Sequence, residues 1–422
     1  MLYKTTLRNG VRIVTEEIPY VKSASFGIWV KTGSRNEKDD EHGISHFIEH
    51  MQFKGTKLRS AFEISEAFEK IGAQVNAYTT KEYTCFLLKV LGEYLFDAVD
   101  ILCDMFFNSI YSSGDIENEK KVIIEEIKSY EDMPEEIVHE YFVKAFFDGH
   151  PLGKPILGTI ESVSSFTKDK VFNFLEREYV GGNIIISVSG NVDHNEVVDR
   201  LGYLFENNIP AGGNFTYIPP ETKPREIIKY KNSEQVQICI GTPALPHTDE
   251  NIYTLTVLNN ILGGSLSSRL FQEIREKHSL AYSIYSYNVS FFDCGLWGIH
   301  TGTSSNNVYQ VLEICLNIIS SIKEKGVRED ELERAKQQLR GELLLSEENT
   351  MNHMSRLGKS ELTHNRVITI EEMVEKIMAV SLEQVSELAK ELFVSENFGL
   401  ALIGPFRGDI DLKDMMQKLA IC

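Results

Sequence analysis

Two imidazoles and a carboxylate fall within five residues at His46, Glu49 and His50. The stretch around them, from Ile44-Ser45 to Met51-Gln52-Phe53, is mostly apolar and reads as helix. Residues four apart on a helix lie one above the other, so His46 and His50 point the same way and can grip one metal ion. Neutral imidazole nitrogen suits zinc, and a catalytic zinc needs three protein ligands and one open position. Glu49, on the same side, can hydrogen-bond a water there without binding the metal. Phe53, three residues beyond His50, lies near the same face and is a candidate wall for a side-chain pocket, although a Phe so placed more often packs into a core.

A third ligand is expected from another element. Residues 115–130 read DIENEKKVIIEEIKSY, a helical pattern with Ile116, Val122, Ile123 and Ile127 as its apolar face. Glu119 and Glu126 are seven apart, two turns of one helix, and share a face bordering the isoleucines. A carboxylate from this helix would complete a His-His-Glu set, with Glu119 orienting a ligand or the water from behind. The helix is acidic throughout, and such runs are usually solvated faces, so these residues alone leave Glu125 and Glu126 as equal candidates.

The elements that must position these groups form a chain of 422 residues, enough for two or more domains. Its 42% hydrophobic content is that of a globular protein. No apolar run is long enough to span a bilayer, and the opening twenty residues lack a secretory h-region. They read as a strand, a turn at Asn9-Gly10 and a second strand, so a cytoplasmic chain with no membrane partner is expected. The net charge of −19 argues against nucleic-acid binding, which needs a phosphate-neutralising surface. Six cysteines, none in a C-x-x-C pair, read as reduced and buried.

Residues 207–225 hold four of the eleven prolines and a Gly-Gly pair, and read as a linker. The two sides echo each other at an offset of roughly 216 residues, which pairs Ile116 with Leu332. In both, an apolar helix (96–107 and 308–319) precedes a Gly-containing turn and a charged helix. A duplicated α+β domain is therefore expected: a catalytic domain at 1–210, a linker at 211–225 and a second domain at 226–422. Where the histidine motif should recur the second copy reads NNILGGSLSSRLF, so only the first half can perform the metal chemistry.

The stretches HGISHFIEHMQFKGT, GAQVNAYTTKEYT, ENEKKVIIEEIKSYED, DGHPLGKPILGT, GNVDH and SSRLFQEIREKHSLAYSIYS together resemble the pitrilysin/insulysin superfamily of zinc peptidases, whose motif is His-x-x-Glu-His. Within it the chain looks most like the single-chain bacterial members of the mitochondrial-processing-peptidase branch. The resemblance implies two mixed domains, each a largely antiparallel sheet flanked by helices. It implies one Zn2+ per chain, with the third ligand on the second Glu of the pair, Glu126, and Glu119 as a catalytic helper. It implies an edge strand at 72–80, where Asn76, Ala77 and Tyr78 would take an extended peptide, and a substrate-binding pair Arg275 and Tyr282. Read without the resemblance, Arg275 is an exposed helix charge and Tyr282 a core aromatic. Relatives often carry Arg-Gly where this chain has His278-Ser279, so the local turn departs from the pattern. The implied activity is endopeptidase action on unfolded peptides or presequence-like segments, in a clamshell built by a homodimer. The rival implication is a non-catalytic metal- or peptide-binding subunit of a heteromeric complex.

Overall fold

The computed structural model describes residues 1–213 and 217–418, so Cys422 lies outside the described residues. The chain forms two compact units, each assembled from non-contiguous segments. The first comprises Met1–Lys128, Lys154–Thr216 and Ser346–Ile368; the second comprises Ser129–Gly153, Tyr217–Leu345 and Thr369–Cys422. The units are thus not the two contiguous halves expected: each takes in one segment from the other side of the linker. The linker itself begins later than 207, because the helix His194–Asn208 runs through Asn207 and Asn208.

The first unit is built on a six-stranded sheet of β1 (Leu2–Thr6), β2 (Arg12–Glu17), β3 (Ser23–Val30), β4 (Gln74–Thr79), β5 (Thr84–Leu91) and β6 (Ile184–Gly190), in the order β1-β2-β6-β3-β5-β4. Only β2 and β6 run parallel. Alternation along β3 sends Phe26 and Ile28 into a core filled by the motif helix and the helix Leu95–Asn108. Trp29 faces the other way, into a layer with Cys85, Met354 and Leu357 beneath the helix Thr350–His364. That helix approaches closely because it carries Gly358: a Cβ there would sit 2.1 Å from a Trp29 ring carbon.

The second unit holds five strands, β7 (Glu226–Tyr230), β8 (Val236–Ala244), β9 (Ala281–Ser290), β10 (Gly295–Thr303) and β11 (Gly399–Gly404), in the order β7-β11-β8-β10-β9. Without β1, the first sheet has the same order and the same single parallel pair, here β7 with β11. The echo read from the sequence is therefore a duplication of sheet topology, and the α+β class holds. One face of the second sheet packs on the helix Val308–Lys325; the other is covered by the helix Pro134–Phe147. No helix among the described residues is long and apolar enough to cross a membrane.

Candidate metal centre

The helix Ile44–Met51 carries the motif. Eight residues are too few for a stable isolated helix, so tertiary contacts must hold it. Ile44, Phe47, Ile48 and Met51, at helical spacing, are each at most 1% exposed. Burial of each is worth about 1.5–3 kcal/mol. The opposite face carries His46, Glu49 and His50. The helix starts at Gly43 in a left-handed conformation (φ 85°), and the Glu37 carboxylate accepts hydrogen bonds from the Gly43 and Ser45 amides at 2.8 and 2.9 Å. Burial pushes the Glu37 pKa up to about 8.

The acidic helix, Ser113–Glu131, buries Ile116, Ile123 and Ile127, whereas Val122, expected on the same face, is half exposed. It brings Glu126 to the histidines: His46 Nε2 lies 3.9 Å from Glu126 Oε1, and His50 Nε2 lies 3.6 Å from Glu126 Oε2. One donor atom from each of the three lies within 4.8 Å of the others. Glu125 points elsewhere, exposed and paired with Lys128 at 2.7 Å. The geometry thus separates the two adjacent acids that the sequence alone left tied.

Glu119 is buried behind the histidines and accepts a hydrogen bond from His50 Nδ1 at 2.8 Å. Its other oxygen pairs with Lys54 at 2.8 Å. The bond to Nδ1 fixes the His50 ring and leaves Nε2 toward Glu126. Burial opposes a charge on His50, but the Glu119 hydrogen bond and the charges of Glu126, Glu119 and Glu49 outweigh it and raise its pKa. Carboxylates that favour an imidazolium favour any cation at the same place. His46 is the reverse case. Burial and then the neighbouring His50 push its pKa down to about 3, so its ring is neutral with a free lone pair. Its Nδ1 is buried with no hydrogen-bond partner among the described residues. The nitrogen that faces Glu126 is Nε2, and a neutral imidazole nitrogen beside a carboxylate is a donor pair suited to zinc. Three donors around one zinc stand about 3.4 Å apart, near the separations observed, so these residues fit the ion.

Glu49 hangs beside this group. Its Oε2 accepts a hydrogen bond from Thr79 Oγ1 of β4 at 2.6 Å. Burial raises its pKa, partly offset by that bond. The sequence reading named neither Thr79 nor Lys54, although both lie inside the stretches that carried the resemblance; their contacts depend on tertiary placement.

β4 is the last strand of its sheet. The Ala77 amide donates to Asn76 Oδ1 at 2.9 Å. Tyr78 packs its ring against Trp29 and Tyr83. Phe53 is partly buried against the first-unit core. In the second unit, Arg275 lies on a π-helix, Phe271–Lys277, with its guanidinium 4.7 Å from the Phe271 ring centre and 4.9 Å from that of Tyr282. Tyr282 is 79% exposed, not the core aromatic expected from its residue type alone. Ser279, between them in sequence, adopts a left-handed φ of 52° and donates its amide to the Arg275 carbonyl at 3.1 Å. It holds a conformation that glycine adopts at less cost.

Residues 12–160 match the family described as Insulinase (Peptidase family M16), and residues 165–339 match the Peptidase M16 inactive domain. The chain belongs to peptidase family M16. It is 44% identical over 406 residues to the uncharacterized zinc protease YmxG of Bacillus subtilis, covering 96% of this chain and 98% of that one. It is 39% identical over 415 residues to an uncharacterized zinc protease of Streptomyces coelicolor, covering 96% and 90%. Among solved structures, it superposes with a TM-score of 0.90 on a peptidase M16 inactive domain from Pseudomonas fluorescens, at 17% identity, covering 97% of this chain and all of that one. A protease from Helicobacter pylori gives 0.88 at 19% identity, covering 96% and 99%. At these identities the two structures speak for the fold alone.

Proposed function

We propose that this chain is a zinc-dependent endopeptidase acting on unfolded peptides or presequence-like segments, and that it works as a cytoplasmic homodimer. The observation that carries the reading is the convergence of His46, His50 and Glu126, with Glu49 at their side, in a chain of family M16. The zinc-protease names of its relatives support the same metal.

His46 and His50 would hold zinc through their ring nitrogens and Glu126 through a carboxylate oxygen. Zinc so held supplies a Lewis acid that polarises the scissile carbonyl and makes water acidic near neutral pH. Glu49 takes a proton from the attacking water at a carboxylate oxygen and passes it to the leaving amine. Thr79 holds that carboxylate in place. Glu119 keeps the His50 ring in the orientation that presents Nε2. The main chain of Asn76, Ala77 and Tyr78 aligns the substrate as an added strand, which favours extended, unfolded peptides. Phe53 lines a pocket beside the scissile bond. Arg275 and Tyr282, contributed by the second copy, stabilise the negative oxygen of the tetrahedral intermediate.

The test is digestion of a mixture of unfolded peptides by the purified chain, followed by mass spectrometry. Cleavage should vanish with a chelator and return with zinc. Cleavage indifferent to the chelator overturns the reading.

A further inference from the structure

We propose that the second unit carries a second cation site, of zinc-binding and non-catalytic character, formed by His139, Cys239 and His300. Cys239 of β8 and His300 of β10 are directly opposite in register, so their side chains share a sheet face. His139 descends on them from the helix Pro134–Phe147, with its ring centre 4.8 Å from that of His300. One donor atom from each of the three lies within 4.8 Å of the others.

His300 is the observation that asks for a ligand. It is 7% exposed, and neither ring nitrogen has a hydrogen-bond partner among the described residues. A buried imidazole left with two unmet nitrogens bears its whole desolvation cost without return. Burial, and then the adjacent His139, push its pKa down to about 4, whereas the His139 nitrogens already meet the hydroxyls of Tyr287 and Tyr285 at 2.9 and 3.4 Å. The duplicated first unit shows this layer filled without histidine, the Trp29 ring N–H donating to Ser187 Oγ at 2.7 Å. There the corresponding pair on β3 and β5 is Trp29 opposite Cys85, covered by Met354 and Leu357. The second unit places two histidines where the first places apolar side chains.

The donor set selects the ion. One thiol and two imidazoles suit zinc, whereas calcium and magnesium want oxygen. Sulfur and nitrogen on one tetrahedral zinc stand about 3.6 Å apart. Cys239 Sγ and His139 Nδ1 are 3.7 Å apart. The Tyr287 hydroxyl, 2.9 Å from His139 Nδ1 and 3.7 Å from Cys239 Sγ, hydrogen-bonds these two side chains and orients them. Cys239 and His300 are buried beneath the helix Pro134–Phe147, out of reach of a substrate, which makes the site structural. On binding, the Cys239 S–H bond breaks, its proton goes to solvent and a sulfur–zinc bond forms, with no change of oxidation state. The ion would pin one helix to two strands. Glu136 and Glu140, whose charges reach His139, add a field that favours a cation.

The test uses the full chain with His46→Ala and His50→Ala, which removes the first-unit site and makes the outcome independent of peptidase activity. After loading with zinc and buffer exchange, one zinc per chain should remain, and X-ray absorption should show one sulfur neighbour at about 2.3 Å. Cobalt in its place should give a near-ultraviolet thiolate charge-transfer band that Cys239→Ser abolishes and Cys294→Ser leaves. No retained metal, a shell of nitrogen and oxygen only, or a band that survives Cys239→Ser overturns the proposal. The absorption measurement leaves the cluster unmutated, so it decides the matter even if Cys239→Ser fails to fold.

Discussion

His50 and Glu119 are joined by a 2.8 Å hydrogen bond from Nδ1 to Oε1, and Lys54 holds the other carboxylate oxygen at the same distance. This bond orients one imidazole of the proposed metal set without using a coordination position. Glu119→Gln should therefore keep the fold and lower zinc affinity about 10–100-fold, the usual cost of losing such a partner. Competition with a chromophoric chelator measures it.

Glu49→Gln should retain zinc and lose about 10²–10⁴ in turnover, the range carried by general acid–base catalysis. Thr79→Val, which removes only the 2.6 Å bond to Glu49, should lose about tenfold or more, since a hydrogen bond to a charged group is worth about 1.5–3 kcal/mol. Zinc content beside peptide turnover checks both. A Glu49→Gln chain that turns over normally with metal bound removes the base assignment.

If Arg275 and Tyr282 act across a homodimer, two inactive chains should complement. Mixing Glu49→Gln with Tyr282→Phe chains should restore about a quarter of the sites under random assortment of a two-fold dimer. Verified mixed dimers without activity would exclude sharing between copies.

The same substitution should have opposite signs in two helices. At Gly341, within the helix Glu329–Ser346, no atom of the described residues beyond the local helix backbone lies within 4 Å of the place an added methyl would take, so Gly341→Ala should stabilise by about 0.5–1 kcal/mol. Gly358→Ala gains the same helix propensity but drives its methyl into Trp29, a clash typically costing about 1–3 kcal/mol or more. Denaturant unfolding of the two variants measures the contrast.

His353 sets a pH dependence. Burial lowers its pKa, but the Glu16 carboxylate at 2.9 Å from Nδ1, the Glu347 carbonyl at 2.8 Å from Nε2 and the charges of both acids raise it overall. A raised folded-state value means that the unfolded chain gives up this proton first as pH rises. The stabilisation is complete below the unfolded pKa of about 6.5 and is lost as pH climbs through the higher folded value. Thermal unfolding at pH 6 and pH 8 should show a larger loss in the parent chain than in His353→Gln.

What the sequence disclosed is what periodicity reaches. Helical spacing put His46 and His50 on one face, and a seven-residue interval put Glu119 and Glu126 on another. Repetition of helix, turn and charged helix disclosed the duplicated sheets. Contacts between distant strands and helices leave no such trace. Thr79 meets Glu49 because β4 lies beside the motif helix, and His139, Cys239 and His300 meet through β8–β10 register and the covering helix. Residue type alone misplaces Tyr282, because an exposed aromatic stacked on Arg275 has the composition of a buried one.

The interleaved segments have a practical corollary. Scission between residues 211 and 225 would not release two independent folding modules. The amino-terminal fragment would keep the helix Pro134–Phe147, stripped of its sheet, while Trp29 would lose the cover supplied by Met354 and Leu357. Both pieces would then present bare apolar surface and clump unless made together, so the chain must mature as one obligate whole.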